Sequence, residues 1–135
     1  MDHGSRILLL EDDFRQAAAL QARLEAAGYV VDVVERADAA ITRLRTLHYD
    51  LLVTDIYTDQ PGRGGLYLVG MIKQAIDYGL PDLPIIAITG ASAVRGAHPL
   101  SAYLEQLGVD AFLVKPIRPL ELELAVEHLL TPAEP

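Results

Sequence analysis

Residues 6–34 read RILLLEDDFRQAAALQARLEAAGYVVDVV. The apolar run Arg6–Leu10 has the length and composition of a buried strand. Asp13–Ala27, rich in Ala, Leu and Gln, reads as a helix, and Gly28 stops it. Tyr29–Val34 is β-branched and reads as a second strand; Asp32 interrupts it, which marks a partly exposed face and a place at a sheet edge.

The same alternation runs to the end of the chain. Helices are expected at Ala37–Leu47, Leu66–Tyr78, Leu100–Leu107 and Pro119–Leu130, the last with Pro in its first turn. Strands are expected at Leu51–Thr54, Pro84–Ile88 and Ala111–Val114. Strands and helices in strict alternation imply right-handed βαβ units and a parallel sheet covered on both faces. The predicted fold is α/β: a doubly wound five-stranded parallel sheet, flavodoxin-like (βα)5, with strand order 2-1-3-4-5.

Composition narrows the function. At 135 residues and 14.7 kDa the chain fits one domain, expected over residues 1–130, with a frayed, Pro-rich tail at 131–135. The absence of cysteine excludes disulfides, zinc–thiolate sites, iron–sulfur ligation and thiol catalysis. Lys plus Arg is 11 against 19 Asp plus Glu, a net charge of -8 that repels phosphate backbones, so no nucleic-acid partner is expected. No apolar run approaches a membrane span, and Met1–Arg6 lacks a signal-peptide core. These features imply a cytoplasmic protein with no membrane partner.

In an open parallel sheet, ligands bind outside the carboxyl ends of the strands, where the strand order reverses. The first strand ends in Glu11-Asp12-Asp13, the third in Asp55, the fourth in Thr89 and the fifth in Lys115. Each has an ordinary explanation taken singly. Asp13 suits a helix N-cap before Phe14, Asp55 a turn, Thr89-Gly90 a loop start, and Lys115-Pro116 a strand end. Together they aim carboxylates, a hydroxyl and an ammonium at one crevice. Crowded carboxylates repel one another, and a hard divalent cation such as Mg²⁺ removes that repulsion while keeping positions for water or phosphate. An Asp beside Mg²⁺ is a nucleophile toward phosphorus. Mg²⁺, an ammonium and a hydroxyl suit the three equatorial oxygens of a phosphoryl group in transfer.

Over residues 6–130 the chain resembles a response-regulator receiver domain of two-component signalling. The similarity lies in Ile7–Asp13, in Leu51–Asp55, in Pro84–Gly90 and in Gly108–Pro116, in that order. The resemblance implies that Asp55 accepts a phosphoryl group from a phosphohistidine of a histidine kinase or histidine phosphotransfer protein. It implies Mg²⁺ held by Asp12, by Glu11 largely through water, by Asp55 and by the backbone carbonyl of Tyr57. Thr89 would hydrogen-bond the phosphoryl group and Lys115 would pair with it. Thr89 and Phe112 would be the switch, acting with the Ala91–Pro99 loop and the fourth helix on an unknown downstream protein. A cis Lys115–Pro116 bond is also implied. Homodimerisation is left open. So is whether the chain stands alone or belongs to a longer one, since no output domain follows Leu130.

Some features depart from the pattern. Pro61 and Gly65 fall six and ten residues after Asp55, about two later than the family spacing. The segment from Thr89 to Lys115 is longer by about one helical turn, with the surplus assigned to Ala91–Pro99. Phe112 replaces the commoner Tyr. Tyr57, two residues after Asp55, is bulky enough to shield the site from water.

Two rivals stand beside this reading. One is a small phosphatase with Asp55 as nucleophile; Tyr57 occupies the place where that chemistry wants a second Asp. The other is a non-phosphorylated binding module on the same fold, against which stands the complete set of Glu11, Asp12, Asp55, Thr89 and Lys115. Gly62-Arg63-Gly64-Gly65 lacks the Lys-Ser/Thr ending of a phosphate loop and reads as a turn. His3, His48, His98 and His128 have no metal-ligand spacing and read as surface residues, His48 as a partner of a helix dipole.

Overall fold

A computed structural model of the chain describes residues 4–56, 65–74, 80–90 and 100–131. Its elements alternate as β1 (Arg6–Leu10), α1 (Phe14–Ala26), β2 (Val30–Val34), α2 (Ala37–Thr46), β3 (Leu51–Asp55), α3 (Gly65–Gln74), β4 (Ile85–Gly90), α4 (Leu100–Leu107), β5 (Ala111–Lys115) and α5 (Glu121–Leu130). The five strands form one sheet of order β2-β1-β3-β4-β5, parallel throughout. This is the predicted doubly wound sheet, with β2 at an edge.

Side chains on a strand alternate between faces, and here each face has its own core. Leu8, Leu10, Leu52, Ile85 and Ala87 pack with Ala40 and Leu44 of α2, Leu68 and Ile72 of α3, and Leu104 of α4. Ile7, Leu9, Leu51, Val53, Ile86 and Ile88 pack with Leu20 and Leu24 of α1 and Leu122 and Val126 of α5. A strand covered on both faces has no polar side to show, which is why Ile7–Leu10 of β1, Leu51–Val53 of β3 and Ile85–Ile88 of β4 are unbroken apolar runs. Asp32, the polar break in β2, is held on the edge strand. Its Oδ2 accepts from the hydroxyl of buried Tyr49 at 2.6 Å, and Arg6 and Arg43 each approach within 3.9 Å.

Several boundaries differ from the sequence reading. β4 continues through Thr89 and Gly90 because both positions still pair with β5, Thr89 beside Val114 and Gly90 beside Lys115. α5 begins at Glu121 and not at Pro119. Leu120 takes a left-handed φ of 68°, and residues 118–121 close into a turn in which Glu121 Oε1 accepts from Arg118 N–H at 3.2 Å. His48 pairs with the Asp50 carboxylate at 2.9 Å, so its partner is a side chain and not a helix end. The expected extension of α3 to Tyr78, the Ala91–Pro99 loop and most of the tail lie outside the described residues.

α1 and α5 are joined by one ion pair across a hundred positions of chain. Arg23 Nε and Nη2 donate to Glu123 Oε2 and Oε1 at 3.0 and 2.6 Å, and Nη2 also donates to the Arg118 carbonyl at 3.1 Å. Such forked, charge-assisted bonds are the strong kind. The Arg23 bond holds the Glu123 carboxyl below its ordinary 4.5. A carboxyl lowered by folding stabilises the fold above its unfolded pKa and stops doing so as pH falls through its folded value. Glu123→Gln is therefore expected to cost about 1–2 kcal/mol at neutral pH, since a charged hydrogen bond is lost. In urea titrations across pH, the gap between wild type and variant should close below pH 4.5. A gap independent of pH would remove Glu123 as its source.

Candidate functional site

The register of the sheet sets the positions of the strand ends. Leu10 pairs with Thr54, so the next residues along, Glu11 and Asp55, stand side by side where the order reverses between β1 and β3. Parity sets their direction. Glu11 follows Leu9 by two, Asp55 follows Val53 and Lys115 follows Leu113, and all three of those apolar residues face α1 and α5. The three polar side chains accordingly meet. Lys115 Nζ lies 2.8 Å from Asp55 Oδ2 and 3.2 Å from Glu11 Oε1. Carboxylate oxygens of Glu11, Asp12 and Asp55 lie within 4.8 Å of one another. Glu11 is 2% exposed and Asp55 6%, whereas Asp12 is exposed.

Burial pushes the Glu11 carboxyl up to about 7; the Asp13 N–H pulls against this, the Asp55 charge adds to it, and Lys115 opposes it. Burial pulls Lys115 down, but its hydrogen bond to Asp55 and the charges of Asp55 and Glu11 outweigh that and raise its pKa. Glu11 is fixed at both oxygens, since Oε2 accepts from Asp13 N–H at 3.1 Å. Asp13 is the N-cap of α1, its Oδ1 accepting from the N–H groups of Arg15 at 2.9 Å and Gln16 at 3.0 Å. The Gln16 N–H, ahead of other contributions, lowers the Asp13 pKa.

Thr89 sits on β4 one residue beyond Ile88, the register partner of Asp55. It is fully buried, and its Oγ1 has no hydrogen-bond partner among the described residues. Leaving such a hydroxyl unsatisfied costs about 1–3 kcal/mol. Phe112, of opposite parity to Lys115, is half-buried against the core on the α2–α4 face. The Lys115–Pro116 peptide is cis. Tyr57, expected to offer its carbonyl, lies outside the described residues.

Two features escaped the sequence reading. Gly65 opens α3 so close to β3 that a Cβ there would stand 1.9 Å from the Asp55 carbonyl oxygen and 2.3 Å from Thr54 Oγ1, which itself donates to that carbonyl. Gln16 donates its backbone N–H to the cap and also accepts a hydrogen bond from Lys115 Nζ through its side chain. The one available signal for it was the Asp13-x-x-Gln16 spacing.

Comparison with known proteins identifies the family and the fold. The sequence profile of the response regulator receiver domain matches residues 7–127. Transcriptional regulatory protein ResD of Bacillus subtilis is 30% identical over 130 residues, covering 93% of this chain and 48% of the relative. The phosphate regulon transcriptional regulatory protein PhoB of Rhizobium meliloti is 32% identical, covering 96% and 54%. The chain thus spans about half the length of these curated relatives. Among solved structures, a sensor protein from Polaromonas sp. JS666 superposes with a TM-score of 0.78 at 28% identity over 93% of this chain and 95% of that one. The Francisella response regulator 1452 receiver domain shares the fold, with a TM-score of 0.75 at 23% identity over 93% and 96%.

Two stability tests follow from the packing. Lys115→Met keeps the stem but leaves two buried carboxylates without their cation, so it is expected to destabilise the protein by about 3 kcal/mol. Adding Asp55→Asn in that background should recover part of the loss, and strictly additive effects in chemical denaturation would refute the coupling. Gly65→Ala must displace the end of β3 or the start of α3 and is expected to cost about 1–3 kcal/mol. An unchanged denaturation midpoint would show that the close approach is not there.

Proposed function

The chain belongs to the response regulator receiver domain family, and from that premise we propose that Asp55 is the phosphoacceptor of a phosphorylation-dependent switch. The observation that carries this reading is the pairing of buried Asp55 with Lys115 at 2.8 Å, together with a fully buried Thr89 hydroxyl, one residue beyond the register partner of Asp55, that has no partner among the described residues. An ammonium and an unspent hydroxyl donor at the carboxyl edge of one sheet are what a phosphoryl group requires for two of its oxygens.

In the forward step an Asp55 carboxylate oxygen attacks the phosphorus of a phosphohistidine. The new bond is P–O, the broken bond is P–N, and the imidazole leaves with its electron pair and takes a proton from solvent. In a separate hydrolytic step water attacks phosphorus, a new P–O bond forms to the water oxygen, the P–O bond to Asp55 breaks with its electron pair returning to the carboxylate, and inorganic phosphate and a proton go to solvent. Lys115 pairs with one phosphoryl oxygen and Thr89 donates to another. The donor set of Glu11, Asp12 and Asp55 is all-oxygen and acidic, as Mg²⁺ prefers. Mg²⁺ held there would offset the mutual repulsion of the carboxylates and the charge of the incoming group. Asp12 and Asp55 would be direct ligands, Glu11 would act largely through water, and the Tyr57 carbonyl would complete the protein's share. The phosphodonor is a histidine kinase or histidine phosphotransfer protein, and the output is a changed surface offered to a downstream protein in the cytoplasm.

The experiment is intact-mass analysis after incubation with acetyl phosphate and Mg²⁺. Wild type is expected to gain one phosphoryl group and Asp55→Ala none. A wild type that gains nothing would favour a binding module that keeps only the fold, and steady turnover of p-nitrophenyl phosphate would favour a phosphatase.

A further inference from the structure

Residue 16 stands three positions after the N-cap of α1, the Asp-x-x-Gln spacing of a capping box. In that motif the glutamine side chain reaches back to the N–H of the cap residue. Here that N–H is already taken, because Asp13 N donates to Glu11 Oε2. The carboxamide is thereby released, and its Oε1 accepts from Lys115 Nζ, 99 positions away along the chain.

An ammonium has three protons to donate. Lys115 finds three acceptors for them: Asp55 Oδ2, Glu11 Oε1 and Gln16 Oε1. Gln16 is the uncharged member of the set. Lys115 and Gln16 both line a cavity of about 440 Å³, whose walls also include Ala19, Leu20, Pro116 and Ile117, and the side chains of these four accept no hydrogen bond. If Gln16 let go, no side chain among these four would take its place.

We propose that Gln16 is a positioning residue for phosphotransfer, holding the Lys115 ammonium toward the Asp55 oxygen at which the phosphoryl group arrives. The inference rests on the reading of Asp55 as phosphoacceptor. A neutral acceptor fixes the direction of the ammonium and leaves its charge available. A carboxylate in the same place would add another negative charge to a crowded cluster. Charge on the equatorial oxygens is best stabilised by a donor already in position, because no reorganisation is then needed at the moment of transfer.

The test uses the full chain and Gln16→Met, which keeps side-chain length and helix preference but loses the acceptor. Phosphorylation by acetyl phosphate in saturating Mg²⁺ is expected to slow by about tenfold, the scale of one hydrogen bond to a charged group. The second measurement is the ¹⁵N signal of the Lys115 ammonium. The chain has only two lysines, Lys73 and Lys115, so assignment is direct. Its protons should exchange with water faster in the variant than in wild type. A variant phosphorylated at the wild-type rate would overturn the proposal. So would a slowed variant whose ammonium exchanges as in wild type, because Gln16 would then act by another route. If wild type itself takes no phosphoryl group, the reading of Asp55 fails and the role of Gln16 in phosphotransfer with it; ammonium exchange then reports whether Gln16 holds Lys115 at all.

Discussion

Lys115 Nζ stands between two carboxylates that have almost no water of their own, Asp55 at 2.8 Å and Glu11 at 3.2 Å. Removing ions from water costs several kcal/mol each, and only close pairing with satisfied hydrogen bonds offsets it. The site meets that condition from several directions. Asp13 N–H covers the second oxygen of Glu11, and Gln16 takes the remaining ammonium proton. The lysine has far to reach, because β5 is an edge strand and β4 lies between it and β3. Its register partner on β4 is Gly90, two residues beyond Ile88 and therefore on the same α1–α5 face. A side chain at position 90 would stand beside the lysine stem.

The parallel sheet is what makes such a convergence economical in sequence. Every strand points the same way, so the residue that ends each one arrives at the same edge. Pairing then fixes which ends are level, and the two-residue period fixes which of the two cores each end points over. Glu11, Asp55 and Lys115 fall on the α1–α5 side and Phe112 on the other. A slip of one residue in a strand would send its polar end to the other face and exchange its apolar side chains between the two cores, where they no longer fit. The apolar alternation that holds the fold together is thus the same device that aims the charges.

For that reason the fold and most of the site were legible in the chain itself. Strand ends can be read wherever an apolar run stops, and Glu11-Asp12, Asp55 and Lys115 stand where three of them do. What escaped were contacts that depend on distance in three dimensions. Gly65 looked like a turn glycine until its Cα was placed against the Asp55 carbonyl. Gln16 looked like any polar helix residue, since its significance depends on Glu11 having taken the Asp13 N–H. The start of α5 moved to Glu121 because Glu121 bonds back to Arg118 N–H, a local closure that a proline at 119 does not by itself forecast.

The Thr89 hydroxyl, without a hydrogen-bond partner among the described residues, sets a scale for the proposed switch. A buried donor without a partner costs about 1–3 kcal/mol, and an arriving phosphoryl oxygen would recover that amount only in the conformation where Thr89 can reach it. A ligand shifts a two-state equilibrium by no more than its differential affinity for the two states. One hydroxyl is therefore enough to change a population ratio by about one to two factors of ten, and not enough to invert a strongly biased one. Further contributions have to come from groups that move with Thr89. Phe112 is placed for this, since its register partner Ala87 lies two residues before Thr89 on the same strand and so on the same face. Its side chain is only half-buried there, so apolar area remains to be covered if the ring turns inward. On the proposed reading the hydroxyl and the ring contribute together, one through a hydrogen bond and the other through burial.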